Sequence, residues 1–115
     1  MNRDKLHLLH IRENIAKIKR LLNEGKATFL DDEDKQAAIL YYLQTLSEST
    51  TRLSPSLRDE HPQIQWQQIR GFRNRIVHDY LSTDLELVWL IITKELNPLL
   101  DAVEIMLTEV SDEQD

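Results

Sequence analysis

The chain has 115 residues, with two Gly, three Pro, no Cys and a formal net charge of −6 at pH 7. This length suits one domain, so we predict a single helical domain over residues 1–115. The lack of Cys excludes a disulfide framework and thiolate zinc sites, and the acidic balance argues against a protein that coats DNA. No apolar run is as long as a membrane span, and the N-terminus has no signal-peptide pattern, so the expected location is the cytoplasm.

The spacing of apolar residues predicts helices in the first half of the chain. The first helix is expected over residues 3–24, with Gly25 as its C-terminal stop. The second begins near the acids at 31–34, which suit a helix N-terminus. A metal cluster is the other interpretation of these acids, but the helix start explains them fully. The expected apolar positions are Leu6, Leu9, Ile15, Ile18 and Leu22 in the first helix and Ile39, Leu40, Leu43, Leu46 and Leu53 in the second.

The middle of the chain is predicted to contain a break between helices, which is followed by a third helix. Residues 54–62 form a break that is marked by Pro55 and Pro62. Pro62 also suits the first position of a helix, where its missing N–H costs nothing. The third helix is therefore expected over residues 62–80.

A fourth helix is predicted from its N-terminal signal. Thr83 and Glu86 have the spacing of a capping box, and Pro98 is expected to kink this helix or to divide it. Residues 111–115 are expected to form a frayed polar tail. Because no stretch of period two is long enough for a strand, the predicted fold is all-α, an antiparallel bundle of four or five helices.

The third predicted helix carries an Arg in the middle of an apolar face. At about 100° per residue, one group of apolar and aromatic residues lies around Arg73: Trp66, Ile69, Phe72, Ile76, Val77 and Tyr80. Burying an unpaired guanidinium is costly, so the chain must supply a partner, a cleft or a ligand there. The apolar arc is also too wide for one side of a small bundle, which predicts a homodimer that covers it.

Polar residues occupy the neighbouring face of the same helix. Asn74 and His78 are four residues apart and point the same way, and Gly71 beside them leaves the backbone bare. His78 can exchange a proton near neutral pH, Asn74 could orient its ring, and Arg73 supplies fixed positive charge. A purely structural role is the other interpretation of a lone His on a helix.

The other histidines show no metal-ligand spacing with carboxylates, so no metal site is predicted. They are His7, His10 and His61. His7 and Arg3 are expected to lie on the solvated surface of the first helix.

The run from Arg73 to Tyr80 resembles the signature of the HEPN family, an Arg followed after four to six residues by a His. It is most similar to the HepT-like branch, whose version is Arg, four residues, His, one residue and Tyr. The residues before it also match that branch: Trp66, Ile69, Gly71 and the Arg73–Asn74 pair. A following helix that contains Trp89 matches as well, so the resemblance covers nearly the whole chain in length and helix order.

The resemblance implies a HEPN-like homodimer whose two motifs line a shared cleft. It implies a metal-independent endoribonuclease, without a cofactor, that is the toxin of a toxin–antitoxin pair and acts on RNA. The antitoxin of that branch is a small nucleotidyltransferase, which in some members transfers AMP to the motif tyrosine. The implied roles are catalysis for Arg73 and His78 and AMP acceptance for Tyr80. The chemistry adds supporting residues: Asn74 could orient His78 or hold a phosphate oxygen, and Arg70 and Arg75 could guide the RNA backbone or form surface ion pairs.

Two other functions fit the same residues. The chain could be a non-catalytic substrate-binding or docking subunit of a nucleotidyltransferase, in which Arg73 and His78 bind a nucleotide phosphate or pair across the dimer. It could also be a helical scaffold without a small-molecule site. RNA cleavage that is lost in His78→Ala would favour the nuclease, whereas partner binding without RNA turnover would favour the docking subunit.

Overall fold

The computed structural model describes residues 2–67, 69–71, 74, 78 and 84–110. The helices with defined bounds are α1 (Arg3–Leu22), α2 (Lys26–Asp31), α3 (Glu33–Thr51), α4 (Pro55–Asp59) and α5 (Leu85–Glu109). From Trp66 to His78, every described residue is helical as well. None of the described residues lies in a β-strand, which confirms the prediction of an all-α fold.

The first helix begins and ends at clear local signals. Asn2 caps α1, because its Oδ1 accepts hydrogen bonds from the backbone N–H groups of Asp4 at 2.8 Å and Lys5 at 3.3 Å. The helix ends at Leu22, slightly before the predicted residue 24. Gly25 then adopts φ 98°, a conformation that favours glycine, so the predicted break at Gly25 is confirmed.

The acids at 31–34 start a helix, as predicted. The Oδ1 atom of Asp32 accepts the backbone N–H of Lys35 at 3.0 Å and so caps α3. The short helix α2 in front of it was not predicted, because its six residues are too few to show a helical period. It buries Phe29, whose carbonyl oxygen accepts a hydrogen bond from Gln36 Nε2 at 2.8 Å.

The predicted start of the third helix at Pro62 is wrong. Pro62 lies in a turn, and the first described helical residue after it is Trp66. The turn is fixed by the Trp66 indole, whose Nε1 donates to the carbonyl oxygens of Arg58 at 3.2 Å and His61 at 3.1 Å. The predicted break before it also contains the short helix α4, which Ser54 caps through a 3.3 Å bond from the Leu57 N–H.

The last helix differs from its prediction at its N-cap, and Pro98 does not divide it. Its N-cap is Asp84, which accepts the Leu87 N–H at 3.1 Å, so the helix does not start from a cap at Thr83. Pro98 lies inside α5, which continues from Leu85 to Glu109 without division. Thr83 and the predicted tail at 111–115 lie outside the described residues.

The core is formed mainly by α1, α3 and α5, with α1 packed against both of the others. Its fully enclosed members include Leu8, Ile11, Ile15, Ile18, Phe29, Ile39, Leu43, Leu46, Ile92, Val103 and Met106. The apolar side predicted for α1 is wrong in its first turns, where Leu8 and Ile11 are buried but Leu6 is 40% exposed. Within the described ranges, no helix is long and apolar enough to cross a membrane.

Candidate functional site

The segment that carries the predicted site packs against the bundle at the N-terminal end of the segment. We call residues 66–80 the motif segment. Trp66 and Ile69 are half-buried and pack against the core, and the Trp66 indole is bonded to the turn in front of it. That turn is itself held to the end of α5, because His61 Nε2 lies 2.9 Å from Glu109 Oε2. One side of the motif segment is thereby directed toward the core.

A polar face lies on the solvent side of the motif segment. Arg70, Asn74 and His78 are each helical and exposed. They follow one another at intervals of four residues, which places them along one face at about 3.6 residues per turn. An imidazole, an amide and a guanidinium are therefore presented together to solvent or to a ligand. We refer to these three residues as the polar face.

Gly71 lies beside the polar face. It is helical and half-buried, and a Cβ built on it would meet none of the described atoms within 4 Å. A glycine inside a helix costs about 0.5–1 kcal/mol relative to alanine. Packing against the described residues therefore does not require a glycine at this position.

Part of the predicted site lies outside the described residues. This applies to Arg73, Arg75 and Tyr80, and to three apolar neighbours, Phe72, Ile76 and Val77. The structure thus brings together Arg70, Asn74 and His78 on one face. The relative positions of Arg73, His78 and Tyr80 stay a prediction.

The N-terminal histidines differ in their surroundings. His10 is exposed, as is Arg3, but His7 is half-buried rather than fully solvated as predicted. Burial, followed by the positive charge of Arg52, lowers the pKa of His7. No described group forms a hydrogen bond with its Nδ1 atom. Both effects favour the neutral imidazole of His7, which lies half-buried on α1.

The turn before the motif segment contains a group that sequence analysis missed. His61 is only 5% exposed, and one ligand atom from each of Glu60, His61 and Glu109 lies within 4.8 Å of the others. Spacing along the sequence gives no sign of this group, because 48 residues separate His61 from Glu109. It arises only because the end of α5 packs beside the turn that follows α4.

The all-α bundle, with Asn74 and His78 of the predicted motif on an exposed helical face, has the fold class expected of a HEPN-like domain. The chain belongs to the HepT-like ribonuclease family, since the family model described as "Ribonuclease HepT-like" matches residues 11–106. The match includes the whole motif segment, so it confirms the resemblance that the run from Arg73 to Tyr80 indicates.

Individual relatives carry related names. The chain is 26% identical over 82 residues to "Putative RNase TTE0752" of Caldanaerobacter subterraneus subsp. tengcongensis, covering 71% of this chain and 73% of that one. It is 27% identical over 101 residues to "Putative RNase MJ0127" of Methanocaldococcus jannaschii, covering 86% and 84%. It is 24% identical over 71 residues to "Probable ribonuclease HepT" of Thermococcus cleftensis, covering 62% and 64%. No solved structure matches the chain at a significant level.

Proposed function

We propose that this protein is a metal-independent endoribonuclease, the toxin of a toxin–antitoxin pair, which cleaves RNA in a cleft between two copies of the chain. The observation that carries the proposal is the exposed polar face of Arg70, Asn74 and His78 in a HepT-like ribonuclease chain. A helix face that only packs would be apolar. This exposed face instead carries His78, which can transfer a proton, with Asn74 one turn before it and Arg70 two turns before it.

The reaction uses the 2′-hydroxyl of RNA as an internal nucleophile, which is why RNA and not DNA is the substrate. The 2′-oxygen forms a bond to phosphorus, and the bond from phosphorus to the 5′-oxygen breaks. A proton leaves the 2′-hydroxyl and a proton is gained by the departing 5′-oxygen. His78 exchanges one of these protons, since an imidazole can do so near neutral pH. The products carry a 2′,3′-cyclic phosphate and a 5′-hydroxyl.

Fixed positive charge stabilises the transition state of this reaction. The phosphorane carries more negative charge than the starting diester, and Arg73 stays protonated at every relevant pH. Asn74 orients the His78 ring or holds a phosphate oxygen in this proposal, since helix residues four apart are neighbours. Arg70 and Arg75 pair with the RNA backbone beyond the scissile phosphate.

The proposed control acts through Tyr80. A small nucleotidyltransferase antitoxin would transfer AMP from ATP: the tyrosine oxygen attacks the α-phosphorus, the phenolic proton is lost, and pyrophosphate leaves. The added phosphate is negative and bulky. Near Arg73 it would occupy the place of the RNA phosphate and fill the cleft, so the modified toxin would no longer bind RNA.

The deciding experiment is an RNA cleavage assay on antitoxin-free protein. Wild type should cleave single-stranded RNA, leave 2′,3′-cyclic phosphate ends and spare DNA of the same sequence. His78→Ala should be inactive, whereas His10→Ala, which changes an exposed histidine on α1, should retain full activity. Stable binding to a nucleotidyltransferase without RNA turnover by wild type would instead establish the docking subunit and overturn this proposal.

A further inference from the structure

The end of α5 meets the turn before the motif segment in a cluster of one imidazole and two carboxylates. His61 Nε2 lies 2.9 Å from Glu109 Oε2, and Glu60 contributes a carboxylate oxygen within 4.8 Å of both ligand atoms. From this geometry we propose that Glu60, His61 and Glu109 bind a divalent transition-metal ion such as Zn²⁺. The ion would fasten the C-terminal end of α5 to the turn that leads into the motif segment.

The three side chains differ in exposure, in a way that would let an ion enter the site from solvent. The His61 side chain is 6% exposed, whereas that of Glu109 is 46% exposed and Glu60 lies on the surface. The imidazole is therefore held in place by the fold, and the two carboxylates close over the ion from outside. Three protein ligands leave at least one position for water, as is common for Zn²⁺ sites that are not fully enclosed.

The local charge favours a cation. Glu109 is the last residue of α5, and the last turn of this helix contains no basic residue. The negative end of the helix dipole therefore lies at a carboxylate, which is unfavourable, and Glu60 adds a second negative charge. Among the salt bridges of the described residues, none joins a Lys or Arg to either glutamate. One divalent ion would neutralise both.

The ligand types indicate the kind of metal. An imidazole nitrogen suits Zn²⁺ and its transition-metal neighbours, whereas Mg²⁺ prefers oxygen ligands alone. The Gln63 side-chain amide lies 3.5 Å from His61 Nδ1. When Nε2 binds a metal, Nδ1 carries the proton, and the Gln63 amide turned by 180° would offer its oxygen as the acceptor. Gln63 is then a positioning residue for the imidazole.

The alternative is that no metal ion binds here and that His61 and Glu109 form only an ion pair with each other. Glu60 separates the two cases, because no hydrogen bond or salt bridge among the described residues uses its carboxylate. An ion pair does not need Glu60, but a three-ligand metal site does. Glu60→Gln is therefore the decisive variant, and its exposed position means that it should fold normally.

The test uses the tag-free full chain, stripped with EDTA, and then titrated with Zn²⁺ or Mg²⁺ by calorimetry and by thermal unfolding. Wild type should bind one Zn²⁺ per chain with a higher Tm, and Mg²⁺ should bind much more weakly. Glu60→Gln should keep the metal-free Tm but lose at least tenfold in Zn²⁺ affinity. The matched control is Glu104→Gln, another exposed glutamate of α5 that contacts Arg12 at 3.4 Å, which should bind Zn²⁺ as wild type does.

Two results would overturn the inference: no Zn²⁺ binding by wild type, or equal affinity in wild type and Glu60→Gln. Either would leave His61 and Glu109 as an ion pair only. The inference does not rest on the proposed ribonuclease function, because none of its three ligands belongs to the motif segment. Well below the Tm, the rate of RNA cleavage should be the same with Zn²⁺ and with EDTA.

Discussion

Asp4 binds Ser54 through both of its carboxylate oxygens. Its Oδ1 accepts the backbone N–H of Ser54 at 2.8 Å, and its Oδ2 accepts the Ser54 hydroxyl at 2.6 Å. Ser54 in turn caps α4 by accepting the Leu57 N–H. The start of α1 is thus tied to the start of α4, which leads directly into the turn of His61 and Trp66.

Ser54→Ala should lower the free energy of unfolding by about 1–2 kcal/mol, because it removes a helix cap and a hydrogen bond to a charged group. Urea unfolding followed by circular dichroism measures this. Ser56→Ala is the matched control: its hydroxyl lies 3.2 Å from that of Ser54 but on the exposed side, so it should change stability by less than about 0.5 kcal/mol. Equal losses in both variants would contradict the role assigned to Ser54.

Arg73→Ala and His78→Ala should each abolish RNA cleavage and growth arrest while leaving the helical circular dichroism intact. Arg73→Lys should also fail, because a point charge does not replace the planar guanidinium at a phosphate. EDTA should not reduce cleavage, since proton transfer and charge stabilisation both come from side chains. Full activity in His78→Ala would remove its proton-transfer role, and inactivation by EDTA would remove the metal-independent mechanism.

Gly71→Ala should have opposite effects on stability and on activity. Alanine is the better helix former and its Cβ meets none of the described atoms, so the free energy of unfolding should rise by up to about 1 kcal/mol. If RNA approaches the bare backbone beside Asn74 and His78, the same methyl group should reduce cleavage at least tenfold. A more stable and fully active variant would show that nothing approaches Gly71 closely.

Tyr80→Phe should remain an active nuclease but should escape silencing by the cognate nucleotidyltransferase and ATP. Intact-mass spectrometry after co-incubation should show one or more AMP increments on wild type and none on Tyr80→Phe. At a few ångströms, the phosphate–guanidinium attraction is about 4 kcal/mol at an effective dielectric of 20, so the adduct should also resist displacement by RNA. Neutralisation of wild type without a gain in mass would show that control is by binding alone.

The proposed cleft requires a dimer, so light scattering should give twice the chain mass at micromolar concentration. An apolar groove of about 350 Å³ lies between the start of the motif segment and α5, lined in part by Ile64, Ile69 and Ile105. Because Ile105 is 53% exposed there, Ile105→Lys should yield a monomer. Tyr41→Lys, at a 64% exposed position of α3, is the control and should stay dimeric. A wild-type monomer at high concentration would rule out the shared cleft.

Local signals in the sequence were sufficient to predict the fold class and the positions of several helix ends. Asp32 caps α3 and Gly25 interrupts the chain because each acts on residues within one turn of itself. The shared face of Asn74 and His78 was predictable for the same reason: residues four apart in a helix share a face whatever the helix packs against. Arg70 was not grouped with them from the sequence, and the structure places it one turn before Asn74 on that face.

Tertiary packing determined the features that local sequence patterns did not predict or predicted wrongly. Apolar residues form two overlapping stripes on α1, and only contact with α3 and α5 selects Leu8 and Ile11 over Leu6. Pro98 removes a backbone hydrogen bond, but α5 continues because Leu96 and Leu99 on either side are buried in the core. The contacts of Asp4 with Ser54 and of His61 with Glu109 join residues 50 and 48 positions apart. No local sequence pattern encodes these contacts, because residues so far apart in the chain meet only when the helices pack.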